Sequence, residues 1–414
     1  MKEEILQNID HPEQLEKLYR KDNSAFIKSF NQIYPEYKNH QNIQFWNLRL
    51  NYKEEKISLG VKKELWAVVI LAIVAGLYAN ISNLPKVNPE LFFLKNTSFV
   101  ILPFMSIYFL WKQQVAVHKI IIIGGIIATL AFYINMLPNA PQSSSLNLVY
   151  IHMPMLLWSI LGYAYLGNHY NDNNKRVNFL KYNGDFIIMT GVITLACMVF
   201  NVLTFGLFDL IGIKIAQFYM QYIAIWAIGA IPLFATFLIQ NNPSLISKIS
   251  PLIAKIFTPL VFINLFIYLM TIIYTGKYPF NDRNLLLLYN LLLVIVLALI
   301  FFSIAEKREG EADKWSYFIL LGLSLVTIAI NIIALSAISF RISQWGITPN
   351  RMAVLGGNIL IFIHLLLVCW SLLKVIRDKA SSQSIKDTIA KYLPIYAVWT
   401  LIVVALFPLL FQWK

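Results

Sequence analysis

Residues 316–336 read SYFILLGLSLVTIAINIIALS, twenty-one positions without one Asp, Glu, Lys or Arg. A helix rises 1.5 Å per residue, so this run covers ~30 Å, the hydrocarbon thickness of a bilayer. Comparable apolar runs lie at 65–83, 97–111, 118–136, 147–167, 182–205, 216–240, 252–275, 285–304, 352–373 and 393–411, and the second can begin as early as Leu91. The chain has 414 residues, 58% hydrophobic and only 13% charged. A soluble domain carries about 25% charged residues. Ten of the 21 acidic residues precede residue 65. These observations predict an all-α fold: a polytopic helical membrane protein with about eleven transmembrane helices over 65–414, preceded by a small cytoplasmic helical bundle over 1–64.

The first apolar run follows some 60 polar residues, so the first span itself is expected to direct insertion, with no cleavable signal peptide. Cytoplasmic loops collect Lys and Arg. With the N-terminus inside, the inner segments hold fifteen basic residues and the outer ones eight, which favours an inside N-terminus and an outside C-terminus. Most of the +13 net charge is then an insertion signal, and nucleic acid is not an expected partner. Cys197 and Cys369 both fall inside spans, which argues against a disulfide framework and reads as small buried apolar side chains.

In the N-terminal part, HPEQLEKLYRKD places Pro12 in a first helical turn, with Asp10 or His11 as cap and Leu15, Leu18 and Tyr19 on one face. NSAFIKSFNQIY repeats Phe26, Ile27, Phe30, Ile33 and Tyr34 at helical spacing, with Asn23 or Ser24 as cap. A third helix around NIQFWNLRL offers Ile43, Trp46 and Leu50. Such a bundle reads either as a cap on the inner face of the membrane part or as a docking module for a cytoplasmic protein.

The chain contains no HExxH, CxxC, GxSxG, Walker A or GxGxxG motif. Its six histidines form no pair at metal-ligand spacing. No catalytic residue, metal or cofactor is expected. The midplanes of the spans carry no acid, so the usual hardware of a proton-driven carrier is missing. Intramembrane polarity is lopsided instead. Asn264, Tyr268, Thr271 and Thr275 make one stripe at i, i+4, i+7 and i+11, and Gln217, Gln221, His152, Asn331 and Asn358 fall in the same leaflet. Polar side chains of this kind ordinarily join membrane helices by hydrogen bonds. Their clustering also suits a water-filled vestibule open to the outside.

After the opening run comes FRISQWGITPNRMAVLGGN, residues 340–358. Residues 340–351 are expected to form an outer loop, with Trp345 as interfacial anchor, Gly346 at a positive φ, Pro349 holding Thr348 extended, and Asn350 capping the next helix. Arg351 then sits in a first helical turn, where the dipole favours anions, and on the side the positive-inside rule disfavours. An anion would explain it, since both the guanidinium fork and a helix start suit phosphate or carboxylate. Arg341, Arg283 and Lys277 are placed on the same face, and Asn358 shares a helix face with Arg351. The alternatives are lipid phosphates or Asp282. The ligand-binding candidates are therefore Arg341, Arg351, Asn358, Arg283, Lys277, Asn264, Tyr268 and Thr271.

GITPNRMAVLGGNILIFIHL, Gly346 to Leu365, resembles the signature of a bacterial membrane family designated domain-of-unknown-function family 4153. HPEQLEKLYRKDNSAFIKSFNQIYPE followed by FWNLRLNY is similar to the polar start of its members. Gly346, Thr348, Pro349 and Arg351 match the central motif. The resemblance implies a multi-pass bacterial inner-membrane protein with a cytoplasmic N-terminus, and implies no particular activity.

Three functions fit this reading. The first is a non-enzymatic permease or binding protein for an anionic small molecule or lipid at the outer face. The second is a membrane enzyme acting on lipid-linked glycans, although the first outer loop offers only Glu90 where such enzymes usually expose an acidic pair. The third is a scaffold or regulator that docks a cytoplasmic protein through residues 1–64. Membrane lipids are partners in all three.

Overall fold

The structure, a computed structural model, describes residues 1–50, 62–140, 142–210, 214, 216–242, 249–275, 283–307 and 314–413. The described residues are all-α, without strands. The chain divides into two compact units, Met1–Ser58 and Leu59–Lys414.

Among its described residues the first unit has four helices: α1 (Lys2–Gln7), α2 (Pro12–Lys21), α3 (Asn23–Tyr37) and α4 (Gln41–Leu50). Leu15, Phe26, Phe30, Ile33, Ile43 and Trp46 meet in one core, as their helical spacing predicts. Ile5 of α1 joins them; six residues are too few to show a period, so this helix escaped the sequence reading. The cap of α3 is Asp22, whose carboxylate accepts from Ala25 N at 2.9 Å, rather than Asn23 or Ser24. His11 occupies the N-cap position of α2 without a side-chain bond, and Pro12 takes the first helical position. Fully burying one such Phe or Leu contributes about 1.5–3 kcal/mol, which suits a small core.

The second unit consists of α5 (Lys62–Ala79, continued as a 3-10 turn Asn80–Asn83), α6 (Pro89–Lys112), α7 (Val117–Met136), α8 (Ser144–Leu166), α9 (Asn173–Leu210), α10 (Ala216–Asn241, with a π turn at Tyr219–Ile223), α11 (Ile249–Thr275), α12 (Arg283–Ala305), α13 (Lys314–Trp345), α14 (Pro349–Ile376), α15 (Gln383–Ala405) and the short α16 (Phe407–Leu410). Eight helices among the described residues are long and apolar enough to cross a membrane: α5–α8, α10 and α13–α15. Helices also fill the other three apolar stretches as α9, α11 and α12.

Specific contacts fix how the helices alternate. At one end, the starts of α8 and α14 lie side by side, with Asn350 Nδ2 donating to Ser144 Oγ at 3.1 Å. At the other, the start of α5 meets the ends of α6 and α10, where Glu64 accepts from Lys112 and Asn241. Between these ends, α5 and α10 approach closely because Gly229 faces Ala75: a Cβ at Gly229 would fall 2.6 Å from the Ala75 Cβ. Cys369 is buried as expected, whereas Cys197 is only half-buried.

Two prolines in this bundle leave carbonyls without their helical partner, and neighbouring helices supply the donor. Proline removes the N–H that would bond the carbonyl four residues back. Pro394 thereby frees Ala390 O, and Arg176 Nη1 of α9 donates to it at 3.2 Å. Val404 O, in the last turn of α15 and four residues before Pro408, accepts from Tyr133 Oη of α7 at 2.9 Å. These cross-helix bonds supply donors to carbonyls that the prolines cannot serve.

Candidate functional site: the turn between α13 and α14

Helix α13 does not stop near residue 336 but runs on to Trp345, so Phe340–Trp345 is helix and not loop. The expected twelve-residue loop shrinks to Gly346, Ile347 and Thr348. Three polar residues, Arg341, Ser343 and Gln344, make the stretch look like loop, yet they lie on a continuing helix. Gly346 has φ +75°, and its N–H donates to Ile342 O at 2.9 Å, closing α13 with a left-handed cap. Thr348 is extended (φ −135°, ψ 159°), as the following proline requires, and is itself the N-cap of α14. Its Oγ1 accepts from Arg351 N at 3.4 Å, so the capping role expected of Asn350 belongs to Thr348.

The placement of Arg351 now has a physical cause. Its Nη1 donates to Trp345 O at 2.7 Å and to Gly346 O at 2.6 Å. The arginine sits at the start of its own helix but at the carbonyl end of the preceding one, where the dipole favours a cation and the last carbonyls lack partners. Lys95 repeats the device. It is buried at 6% exposure, and its Nζ donates to Leu137 O, just past the end of α7, at 2.8 Å and to Asn139 Oδ1 at 3.0 Å. In the sequence Lys95 is one of the eight basic residues of the outer segments and nothing more. Beside it, Asn96 and Asn135 exchange amide bonds at 2.9 Å, and Tyr78 Oη donates to Asn96 Oδ1.

Arg341 and Arg351 are brought together as expected. Both guanidiniums lie over the Trp345 ring, at 5.2 Å and 5.7 Å from its centroid. Neither forms an ion pair among the described residues. Arg341 Nη1 is buried without a hydrogen-bond partner. The Nε and Nη2 groups of Arg351 donate no hydrogen bond among the described residues. The turn is thus a small cationic knot around a half-exposed tryptophan, with guanidinium donors to spare.

Asn358 does not belong to that knot. It is buried, donates from Nδ2 to Asn290 Oδ1 of α12 at 2.9 Å, and accepts Asn331 Nδ2 of α13 on its carbonyl at 3.1 Å. These bonds tie three helices together, the ordinary role of asparagine in a membrane bundle. His364 is enclosed by Phe301, Tyr392 and Tyr396, with Tyr396 Oη 3.1 Å from Nδ1. His152 bonds back to Leu148 O of its own helix at 2.8 Å. Gln217 and Gln221 are exposed, and the carbonyl of Gln221 in the π turn accepts from Asn83 at 3.0 Å. Lys277 and Asp282 lie outside the described residues, as do the side chains of Asn264, Tyr268, Thr271, Thr275 and Arg283. Among the described residues, no group of three His, Cys, Asp or Glu is placed to hold a metal ion.

Fold and site together define an all-α protein with a polytopic membrane unit and a compact helical N-terminal unit. No protein family, no curated protein and no solved structure matches the chain.

Proposed function

We propose that the protein is a non-enzymatic permease or binding protein for an anionic small molecule or lipid, engaged at the α13–α14 turn. The observation that carries this reading is the pair Arg341 and Arg351 sharing Trp345 with no carboxylate in an ion pair among the described residues, and with unused N–H donors on both. A guanidinium pair of this kind suits phosphate or carboxylate bidentately. In the proposed topology the chain crosses a bacterial inner membrane eleven times, with α9, α11 and α12 as crossings, the N-terminus cytoplasmic and the turn outside. Supporting that orientation, Lys95 and Arg351, two of the eight basic residues on the outer side, are committed to helix carbonyls. The retained bias of charge to the other side is then a cleaner insertion signal. Membership of the resembled bacterial family rests on the two stretches quoted above.

The test is mass spectrometry of anionic lipids and metabolites that co-purify with the gently solubilised full chain, beside Arg341→Ala and Arg351→Lys. The lysine keeps a charge at the α13 carbonyls while removing the fork. A species enriched over bulk membrane and lost in both variants is expected; profiles identical to bulk lipid in wild type would overturn the proposal.

One observation favours a second reading, docking of a cytoplasmic protein. In the N-terminal unit, a hollow of about 550 Å³ is lined by Glu16, Arg20, Phe45, Trp46 and Arg49, and Phe45 and Leu48 are exposed. On that reading, removing residues 1–50 abolishes function while the spans still insert.

A further inference from the structure

A second built site lies at the opposite end of the membrane unit, away from the arginine turn. Glu64, in the first turn of α5, is 8% exposed. Its Oε1 is fully committed: it accepts from Tyr108 Oη, from Lys112 Nζ at 2.7 Å and from Asn241 Nδ2 at 3.1 Å. Its other oxygen, Oε2, accepts no hydrogen bond among the described residues. Glu64 also lines a half-open cavity of about 470 Å³, together with Lys63, Lys112 and Gln114 on the polar side and Trp111 and Ile120 on the apolar side.

A carboxylate held by three donors on one oxygen is positioned firmly and remains charged while it is paired with Lys112. What it lacks is a donor for the second oxygen. The same cavity offers the exposed Lys63, and Lys112, which also donates to Tyr108 Oη at 3.2 Å, keeps one further N–H. A ligand that satisfies both sides must bring an N–H cation and an anion separated by a short spacer. The walls add a third demand. Trp111 is exposed at the end of an apolar helix, the position of an interfacial tryptophan, and the neighbouring Ile121 and Ile122 of α7 are exposed apolar side chains. The ligand should therefore carry hydrocarbon that runs along the helices.

We infer that this cavity binds the headgroup of a phospholipid with a primary ammonium group, its N–H donors on Glu64 Oε2, its phosphate on Lys63 and Lys112, and its acyl chains against Trp111 and α7. A quaternary ammonium has no N–H to give Oε2, and a headgroup without an amine leaves that oxygen with no donor while Lys112 stays on Oε1. The site discriminates by hydrogen bonding as well as by charge. It shares no residue with the arginine turn, so the two proposals stand or fall separately.

The experiment is native mass spectrometry of the full-length, delipidated protein titrated with phosphatidylethanolamine, phosphatidylcholine or phosphatidylglycerol of matched acyl chains. Phosphatidylethanolamine is expected to be retained about tenfold more strongly than phosphatidylcholine, the ratio that one charge-assisted hydrogen bond supplies. Glu64→Gln, which keeps the shape and neutralises the charge, should reduce retention to the phosphatidylcholine level. Lys63→Gln, on an exposed side chain that no fold contact needs, should weaken retention of both zwitterionic lipids, because it removes the phosphate partner they share, and tests the site if Glu64→Gln fails to fold. Equal retention of the two zwitterionic lipids by wild type, stronger retention of phosphatidylglycerol, or unchanged binding by the folded variants would each overturn the inference.

Discussion

Replacing Arg351 by alanine tests whether the arginine acts as a cap on the preceding helix. The change removes two charge-assisted hydrogen bonds, to Trp345 O and Gly346 O, and leaves the last carbonyls of α13 to solvent. Bonds to a charged group contribute about 1.5–3 kcal/mol when their loss strands a buried partner. Here the turn is partly open, so water can take over the carbonyls, and only part of that value is lost. The lost cation at the carbonyl end of α13 adds about 0.3–1 kcal/mol. A net local destabilisation of about 1–2 kcal/mol follows, equivalent to roughly tenfold faster local opening. Hydrogen exchange followed by mass spectrometry reads this directly, because the Gly346 and Met352 amides bond within the same turn, to Ile342 O and Thr348 O. Exchange should accelerate about tenfold over residues 345–352 in Arg351→Ala, remain near wild type in Arg351→Lys, and hardly change in Arg341→Ala. Unchanged exchange in Arg351→Ala, or an equal acceleration in Arg341→Ala, would refute the capping argument.

Other perturbations follow from the same contacts. Gly229→Val places branched carbons against Ala75, and overpacking of this kind costs about 1–3 kcal/mol, so the thermal midpoint in detergent should fall; an unchanged midpoint would show that α5 and α10 are not in contact there. Asn358→Leu leaves Asn290 Oδ1 without its donor at a cost of about 1–3 kcal/mol, and Asn358→Leu with Asn290→Leu should recover part of it, since removing both partners strands neither. In the N-terminal unit, hydrogen bonds from Arg20 and then Arg49 hold the Glu16 carboxyl below the usual carboxylate range. A depressed folded-state value means that the pairing stabilises above the unfolded pKa and is lost as pH falls through the folded one. Hydrogen exchange of residues 12–50, corrected for its intrinsic pH dependence, should therefore rise on acidification below ~pH 4, the ordinary glutamate value, and Glu16→Gln should flatten that rise.

The membrane fold was legible because burial in lipid imposes one rule on every span, and runs such as 316–336 obey it without exception. Ends were less legible, because they depend on partners elsewhere in the chain. Phe340–Trp345 reads as loop by composition, yet it stays helical with Arg341 laid over Trp345 and Gly346 closing the helix one residue later. Arg351 stands out in the sequence because its charge opposes its own helix dipole. Its reason, the carbonyls of a helix that ends six residues earlier, lies in the geometry of the turn and not in the spacing of residue types. Asn358 was grouped with Arg351 on helical spacing alone, whereas the direction of its amide is set by Asn290, 68 positions away. Glu64 passed unnoticed for the same reason: its donors come from Lys112 and Asn241, and only the folded bundle assembles them.

The borrowed donors of α15 impose a sequence of events on biogenesis. A helix interrupted at Pro394 and followed by Pro408 reaches the lipid with two carbonyls that its own backbone cannot serve. The groups that serve them, Arg176 and Tyr133, lie 214 and 271 residues earlier, so both are synthesised before α15. The last long helix is thereby a reporter of the earlier ones. Where α7 or α9 is misplaced, α15 loses one of these two donors, so an error made early in the chain is felt in a helix made late.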